Sequence, residues 1–162
     1  MQKITSENIQ IEDIKRFDIF VFGSNLIGVH GAGAASFAFK NGLIGWGQGC
    51  GLSIRQREKI GAYAIPTKGV TLDVLPLDWI KYFIDKFAEE VDEDETGLNF
   101  IVTKIGCGLA GFKIPEIAPL FQGLVGKDNV SLPQDFIDFY AGTYMEKIKI
   151  SDKNGNIIGF QG

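Results

Sequence analysis

Three observations predict an α/β fold of three layers, with helices on both faces of a mixed, largely parallel central sheet. Residues 17–22, Phe-Asp-Ile-Phe-Val-Phe, form an apolar and β-branched run bounded by glycine, the pattern of a strand buried on both faces. Strand-like and helix-like segments alternate along the chain, which is how such a sheet is assembled. Three strands, ending near Phe22, Thr67 and Thr103, each pass into a loop carrying Gly, Asn, Lys or Thr. In open α/β sheets, ligands lie beyond such carboxyl ends.

Residues 1–16 alternate weakly at Ile4, Ile9, Ile11 and Ile14, which suits an edge strand leading into the central one. Gly23, Ser24 and Asn25 are read as the break after that central strand. A helix is predicted over residues 32–40, where Ala32, Ala34, Ala35 and Ala38 allow close packing on the sheet and Asn41-Gly42 supplies the stop. Residues 42–51 hold five glycines around Trp46, too flexible for a regular element and too aromatic for a plain linker, so they read as a binding loop or lid.

A second strand is predicted over residues 62–67, ended by Pro66 and followed at once by Lys68-Gly69. The clearest helix spans residues 77–91. Leu77, Ile80, Ile84, Phe87 and Val91 share one face, and Lys81, Asp85, Lys86, Glu89 and Glu90 the other. The acidic residues 92–95 read as a solvated loop. A third strand over residues 99–103 runs into the second glycine turn, Gly106-Cys107-Gly108-Leu109-Ala110-Gly111; Pro115 and Glu116 then open a helix that Pro119 keeps short. Residues 129–132 suit a further strand, residues 134–140 an aromatic-rich short helix or loop, and residues 147–151 with 156–160 a hairpin turning at Lys153-Asn154-Gly155. One domain is expected over residues 1–162, with its core at 17–130 and residues 131–162 as an appendage.

Hydrophobic residues at 45% against 22% charged exclude a disordered chain. A net charge of −4 disfavours a nucleic-acid binder that relies on a broad basic face, leaving a local basic patch at Arg55, Arg57 and Lys59. Cys50 and Cys107 are too few for a disulfide framework or a zinc site, which points to a reducing, cytoplasmic setting. No amino-terminal signal pattern and no apolar run of membrane-spanning length occurs, so a soluble, unexported protein without membrane partners is expected.

The first glycine turn, with Gly23, Gly28, Gly31 and Gly33, aims backbone N–H groups and a helix N-terminus at the space beyond the strand, a place that favours phosphate. The same glycines also fit a turn that needs them only for its backbone angles. Asn25 reads as a ligand contact or as a local side-chain cap. His30 reads as a phosphate contact, a general base or a local hydrogen-bonding group. Trp46 either stacks on a planar base or covers the core's edge, and Lys68 either works in the site or lies on the surface at a strand end. Cys107, without an identifiable base, reads as buried filler.

Three stretches, in order, carry a resemblance: Gly23-Ser24-Asn25 with Gly28-Val29-His30-Gly31-Ala32-Gly33-Ala34-Ala35, then Ile65-Pro66-Thr67-Lys68, then Ile105-Gly106-Cys107-Gly108-Leu109. Together they resemble the macro domain, an ADP-ribose-binding α/β/α module. The nearest branch holds the terminal ADP-ribose glycohydrolase of protein carboxylates and the antitoxin glycohydrolases that strip ADP-ribose from DNA. The motifs are also similar to those of small phage and bacterial proteins with no assigned activity. The likeness covers roughly residues 17–121. It implies Asn25 beside the distal ribose, with Ser24 before it among the ligand-binding residues, Gly28, His30, Gly31 and Gly33 along one side of the diphosphate, and Gly106, Cys107, Gly108, Leu109, Ala110 and Gly111 along the other.

The resemblance also matches Thr67 and Lys68 to the motif whose lysine attacks or stabilises the anomeric carbon, a task that requires a lowered lysine pKa. The chain departs from the pattern at Ala110, where the protein-directed glycohydrolase carries a catalytic Asp; the DNA-directed enzymes also lack an Asp there. The resulting expectation is binding of ADP-ribose or a related adenine diphosphate nucleotide, with no metal or other cofactor. Hydrolysis of ADP-ribosylated DNA or protein carboxylates through Lys68 is the alternative, and a structural or protein-binding module the third.

Overall fold

The structure is a computed structural model in which residues 1–161 are described. Six strands, β1 (Lys3–Thr5), β2 (Asp18–Asn25), β3 (Gly51–Arg55), β4 (Ile60–Lys68), β5 (Asn99–Val102) and β6 (Val130–Pro133), form one sheet in the order β1-β6-β5-β2-β4-β3. All neighbours are parallel except β3, which runs antiparallel to β4. The helices are α1 (Gly33–Lys40), α2 (Leu77–Glu93), α3 (Ile114–Ile117), α4 (Gln134–Tyr140) and α5 (Tyr144–Ile148), and a 3₁₀ segment covers Ala118–Leu124. A separate hairpin pairs β7 (Lys149–Ser151) with β8 (Ile157–Phe160).

β2 is central because both its faces are apolar. Successive side chains point to opposite sides, so Ile19 and Val21 join one core while Phe20 and Phe22 join the other. The first core is closed by Ile80, Ile84, Phe87 and Val91 of α2, by α3 and the 3₁₀ segment, and by Phe136 of α4. The second is closed by Ala35 and Ala38 of α1 with Leu43 and Ile44. Helices on both faces make this an α/β domain of three layers around a mostly parallel sheet, as the sequence predicts. No helix among the described residues is long and apolar enough to cross a membrane.

Several boundaries differ from expectation. β2 does not break after Phe22; it continues through Gly23 and Ser24 because β4 keeps offering partners, Gly23 opposite Ile65 and Ser24 opposite Pro66. Pro66 therefore lies inside β4. β3 ends at Gly51, opposite Ala64, so that side of β4 carries no ladder there and a missing amide proton costs nothing. β3 itself was hidden in glycine-rich sequence, its Leu52 and Ile54 alternation too short to register. Asp92 and Glu93 belong to α2, since buried Val91 holds the last turn against the sheet.

The loop that follows is built on Asp94, whose carboxylate accepts the N–H groups of Thr96, Gly97 and Leu98 and the Thr96 hydroxyl. Burial alone would raise this carboxyl, but those bonds outweigh it and hold it below its ordinary value. Residues 131–140 are not an appendage. Leu132 and Phe136 are fully buried, and β1 completes the sheet by pairing Ile4 with Leu132. Tyr144 of α5, a helix not anticipated, is buried in the first core with Ile148 against it, so only the hairpin lies beyond this body.

Candidate anion-binding cleft

A cleft of about 480 Å³ opens beyond the carboxyl ends of β2, β4 and β5, where the turns after all three strands meet. Its lining includes Lys68 and Lys104 but no Asp, Glu or His.

The ends of β2 and β4 lie side by side. A register shift after Ser24 sets Asn25 opposite Lys68, and the Leu26 N–H donates to the Lys68 carbonyl at 3.0 Å. Asn25 spends one amide hydrogen on the Val29 carbonyl (2.8 Å) and accepts the Val29 N–H at 2.9 Å. It thus clamps the turn while facing the cleft, and its second amide hydrogen remains to donate. The Ser24 hydroxyl donates to the Gly49 carbonyl, and the Thr67 hydroxyl to the Ser24 carbonyl at 3.3 Å. Both side chains brace the cleft wall.

Gly28, His30 and Trp46 are not part of the lining. Gly28 sits at φ +71° with a neighbouring backbone so close that an added Cβ would lie 2.3 Å from the Gly47 carbonyl carbon. His30 is buried, with Nε2 3.1 Å from both the Gly45 and Gln48 carbonyls. Two acceptors there require the proton on Nε2, and Nδ1 then has no partner among the described residues. Trp46, 57% exposed, rests edge-on against Phe39 and His30. The 42–50 loop is thereby fastened behind the first turn.

α1 starts at Gly33 with Ala32 at its N-cap and no side-chain cap. The N–H groups of Gly31, Ala32, Gly33, Ala34 and Ala35 find no acceptor among the described residues, and all five residues line the cleft. Across from them, the N–H groups of Gly106, Gly108, Leu109 and Ala110 are equally without acceptors, and these residues line the cleft too. Cys107 instead turns its side chain onto the first core, where burial pushes its thiol up to about 11 and so favours the protonated thiol at neutral pH. Gly111 closes the turn through a bond to the Gly108 carbonyl and lies outside the lining.

The two lysines differ. Lys68 is half-buried, and its ammonium has no hydrogen-bonding or ionic partner among the described residues. Lys104 was not singled out from the sequence, although a basic residue between a strand end and a glycine turn is a readable signal. Its Nζ lies 2.8 Å from Asp135 Oδ2 and 3.6 Å from Glu7 Oε1. Burial would lower the Lys104 pKa, but the Asp135 bond and the charges of Asp135 and Glu7 raise it. Arg55, from the predicted basic patch, donates to the Asn41 and Gly42 carbonyls at the sheet's far edge.

A second pocket of about 490 Å³ adjoins the cleft and shares Gly33, Ala34, Thr103 and Lys104 with it. Phe20, Phe37 and Ile9 give it an apolar side, while Glu7, Asn8 and Gln134 add polar groups. The buried Thr5 hydroxyl in its lining has no partner among the described residues. No group of three side chains able to hold a metal ion occurs among the described residues. Comparison with protein-family models, with curated proteins and with solved structures finds no match for this chain.

Proposed function

We propose that the protein binds ADP-ribose or a closely related adenine diphosphate nucleotide, with the diphosphate between the α1 N-terminus and the 106–110 turn. The observation that carries this reading is the polarity of the cleft. In a chain of net charge −4, the lining gathers two lysines and two rows of N–H groups without an acceptor among the described residues, and not one carboxylate. Most of these N–H groups lie on exposed residues and are open to water, and a bound phosphate would take several of them at once in its place. The adjoining pocket, with two aromatic side chains and an unpaired hydroxyl, gives the nucleoside end of such a ligand a place continuous with the diphosphate. The macro-domain resemblance of the three loops points the same way.

Affinity in the micromolar range is expected, because the donors are mostly backbone and no arginine clamps the anion. Calorimetric titration with ADP-ribose, AMP, NAD and pyrophosphate tests the reading. No heat, and no thermal stabilisation at millimolar ligand, overturns it.

A second reading, hydrolysis of an ADP-ribosyl bond on modified DNA or protein carboxylates, is favoured by one observation: Lys68, next to Asn25, has no side-chain partner among the described residues. Acid/base chemistry has no further support, since the lining holds no carboxylate or imidazole and Ala110 occupies the position of the resembled Asp. We therefore favour a receptor over an enzyme.

A further inference from the structure

Residues 69–75 form an arm beyond the end of β4. An antiparallel bridge from Lys68 to Val74 closes it, with bonds from the Gly69 N–H to the Asp73 carbonyl (2.8 Å), the Leu72 N–H to the Gly69 carbonyl (3.0 Å) and the Leu75 N–H to the Thr67 carbonyl (2.9 Å). The Thr71 hydroxyl donates to the Asp73 carboxylate at 2.9 Å and fixes the tip. Leu72, at that tip, is 46% exposed and is the residue of the arm that lines the cleft.

Leu72 sits at φ +65°, a left-handed backbone that disfavours leucine. The other non-glycines with such a φ among the described residues are Phe17, which packs against the first core, and Lys59, which sits at a polar turn with its ammonium on the Gln56 side chain. Leu72 belongs to neither core. The bonds of the arm thus hold, against strain, an apolar side chain over the cleft, and strain kept without core packing marks a residue placed for a ligand.

Its place in the cleft decides what it meets. β5, β2 and β4 are neighbours in that order, so the ends of β5 and β4 lie about 10 Å apart, two strand spacings. Lys104 and the adjoining pocket are on the β5 side, and Leu72 is with Lys68 and Asn25 on the β4 side. With the nucleoside end in the adjoining pocket and the diphosphate against the N–H rows that follow β2 and β5, the β4 side is left for what the ligand carries beyond its diphosphate. A pentose there offers hydroxyls to the Asn25 amide and Lys68, and a face of C–H groups that an apolar side chain covers.

We propose that Leu72 is a specificity residue: its side chain packs on the C–H face of the sugar that follows the diphosphate, favouring ADP-ribose over a nucleotide that ends at the diphosphate. This role rests on the nucleotide reading of the cleft and names the residue that reads the ligand's far end. Burying the exposed part of Leu72 corresponds to about tenfold in affinity.

Calorimetric titration of Leu72→Gly and Leu72→Met with ADP-ribose and with ADP tests this. Glycine adopts φ +65° without strain, so the first variant keeps the arm and its thermal midpoint should not fall. It should lose about tenfold in affinity for ADP-ribose and less than about twofold for ADP, while Leu72→Met, apolar and of similar size, retains both. A wild-type chain that binds neither nucleotide overturns this role together with the reading it rests on. Binding of both by wild type, with Leu72→Gly indifferent or weakened equally for both, or with Leu72→Met as weak as Leu72→Gly, overturns the role of Leu72 alone and leaves the nucleotide reading standing.

Discussion

Lys104 Nζ lies 2.8 Å from Asp135 Oδ2, so one of the cleft's two lysines is already held by a carboxylate from α4, outside the lining. Asp135 also pairs with Lys147 of α5. An anion entering the cleft competes with Asp135 for Lys104. Asp135→Asn should therefore tighten pyrophosphate or ADP-ribose binding by about fivefold, equivalent to about 1 kcal/mol. Titration calorimetry reads the change, and weaker binding would show that Asp135 positions Lys104 for the ligand instead.

The same pair makes a signed pH prediction. Burial would raise the Asp135 carboxyl, yet the bonds and charges of Lys104 and Lys147 win and depress it, so its contribution is present above the ordinary carboxylate value and lost as pH falls through the lower folded value. Lys104 is raised, so its contribution is full below its ordinary value and lost as pH rises through the higher folded one. Because Lys104 is 40% exposed, screening limits the total to about 1 kcal/mol or less. Urea unfolding of Asp135→Asn should match wild type at strongly acid pH and fall below it by that amount at neutral pH.

His30→Ala should lower stability by about 2–4 kcal/mol, through the lost ring volume and the two carbonyls left without their donor. Ligand affinity in the folded variant should change little, since His30 does not line the cleft. A large affinity loss at unchanged stability would return His30 to the binding site.

The architecture was legible because β2 and β5 each hold an uninterrupted apolar run and α2 has a clean apolar face. The convergence of the three loops followed from their order. What the sequence hid was direction: a single turn decides whether a side chain faces the ligand or the core, so Cys107 points inward while Gly106 and Gly108, on either side of it, line the cleft. His30 and Trp46 read in sequence either as contacts or as local structural groups, and they anchor the 42–50 loop to the turn. Lys104 escaped notice because its partners, Glu7 and Asp135, are distant in sequence.

Gly108→Leu is the cleaner of two tests for the anion position. A Cβ at Gly108 meets no heavy atom within 4 Å, so the side chain enters open cleft space and should abolish binding in a stable protein. Gly33→Leu should also abolish binding but lose about 1 kcal/mol or more of stability as well, because Gly33 sits at φ +59°. Unchanged affinity in both folded variants would move the phosphate elsewhere.

Lys68 and Ala110 separate receptor from enzyme. If Lys68 performs chemistry, Lys68→Ala should slow release of ADP-ribose from a modified DNA or carboxylate substrate by about a hundredfold or more while free ADP-ribose binds nearly as before, since an interaction made only in the transition state is lost. If Lys68 is a charge contact, the same change should weaken binding by about 1–3 kcal/mol, and the parent protein should show no turnover. The second outcome is expected, because the half-buried Lys68 shares a lining without a carboxylate or imidazole to accept or return a proton. Ala110→Asp supplies that carboxylate within the lining. Turnover gained on this single change would identify a chain that holds every part of a glycohydrolase except its acid. A folded Ala110→Asp protein that still binds ADP-ribose and releases nothing would leave the cleft a receptor, with Lys68 serving as the lining cation that has no partner among the described residues.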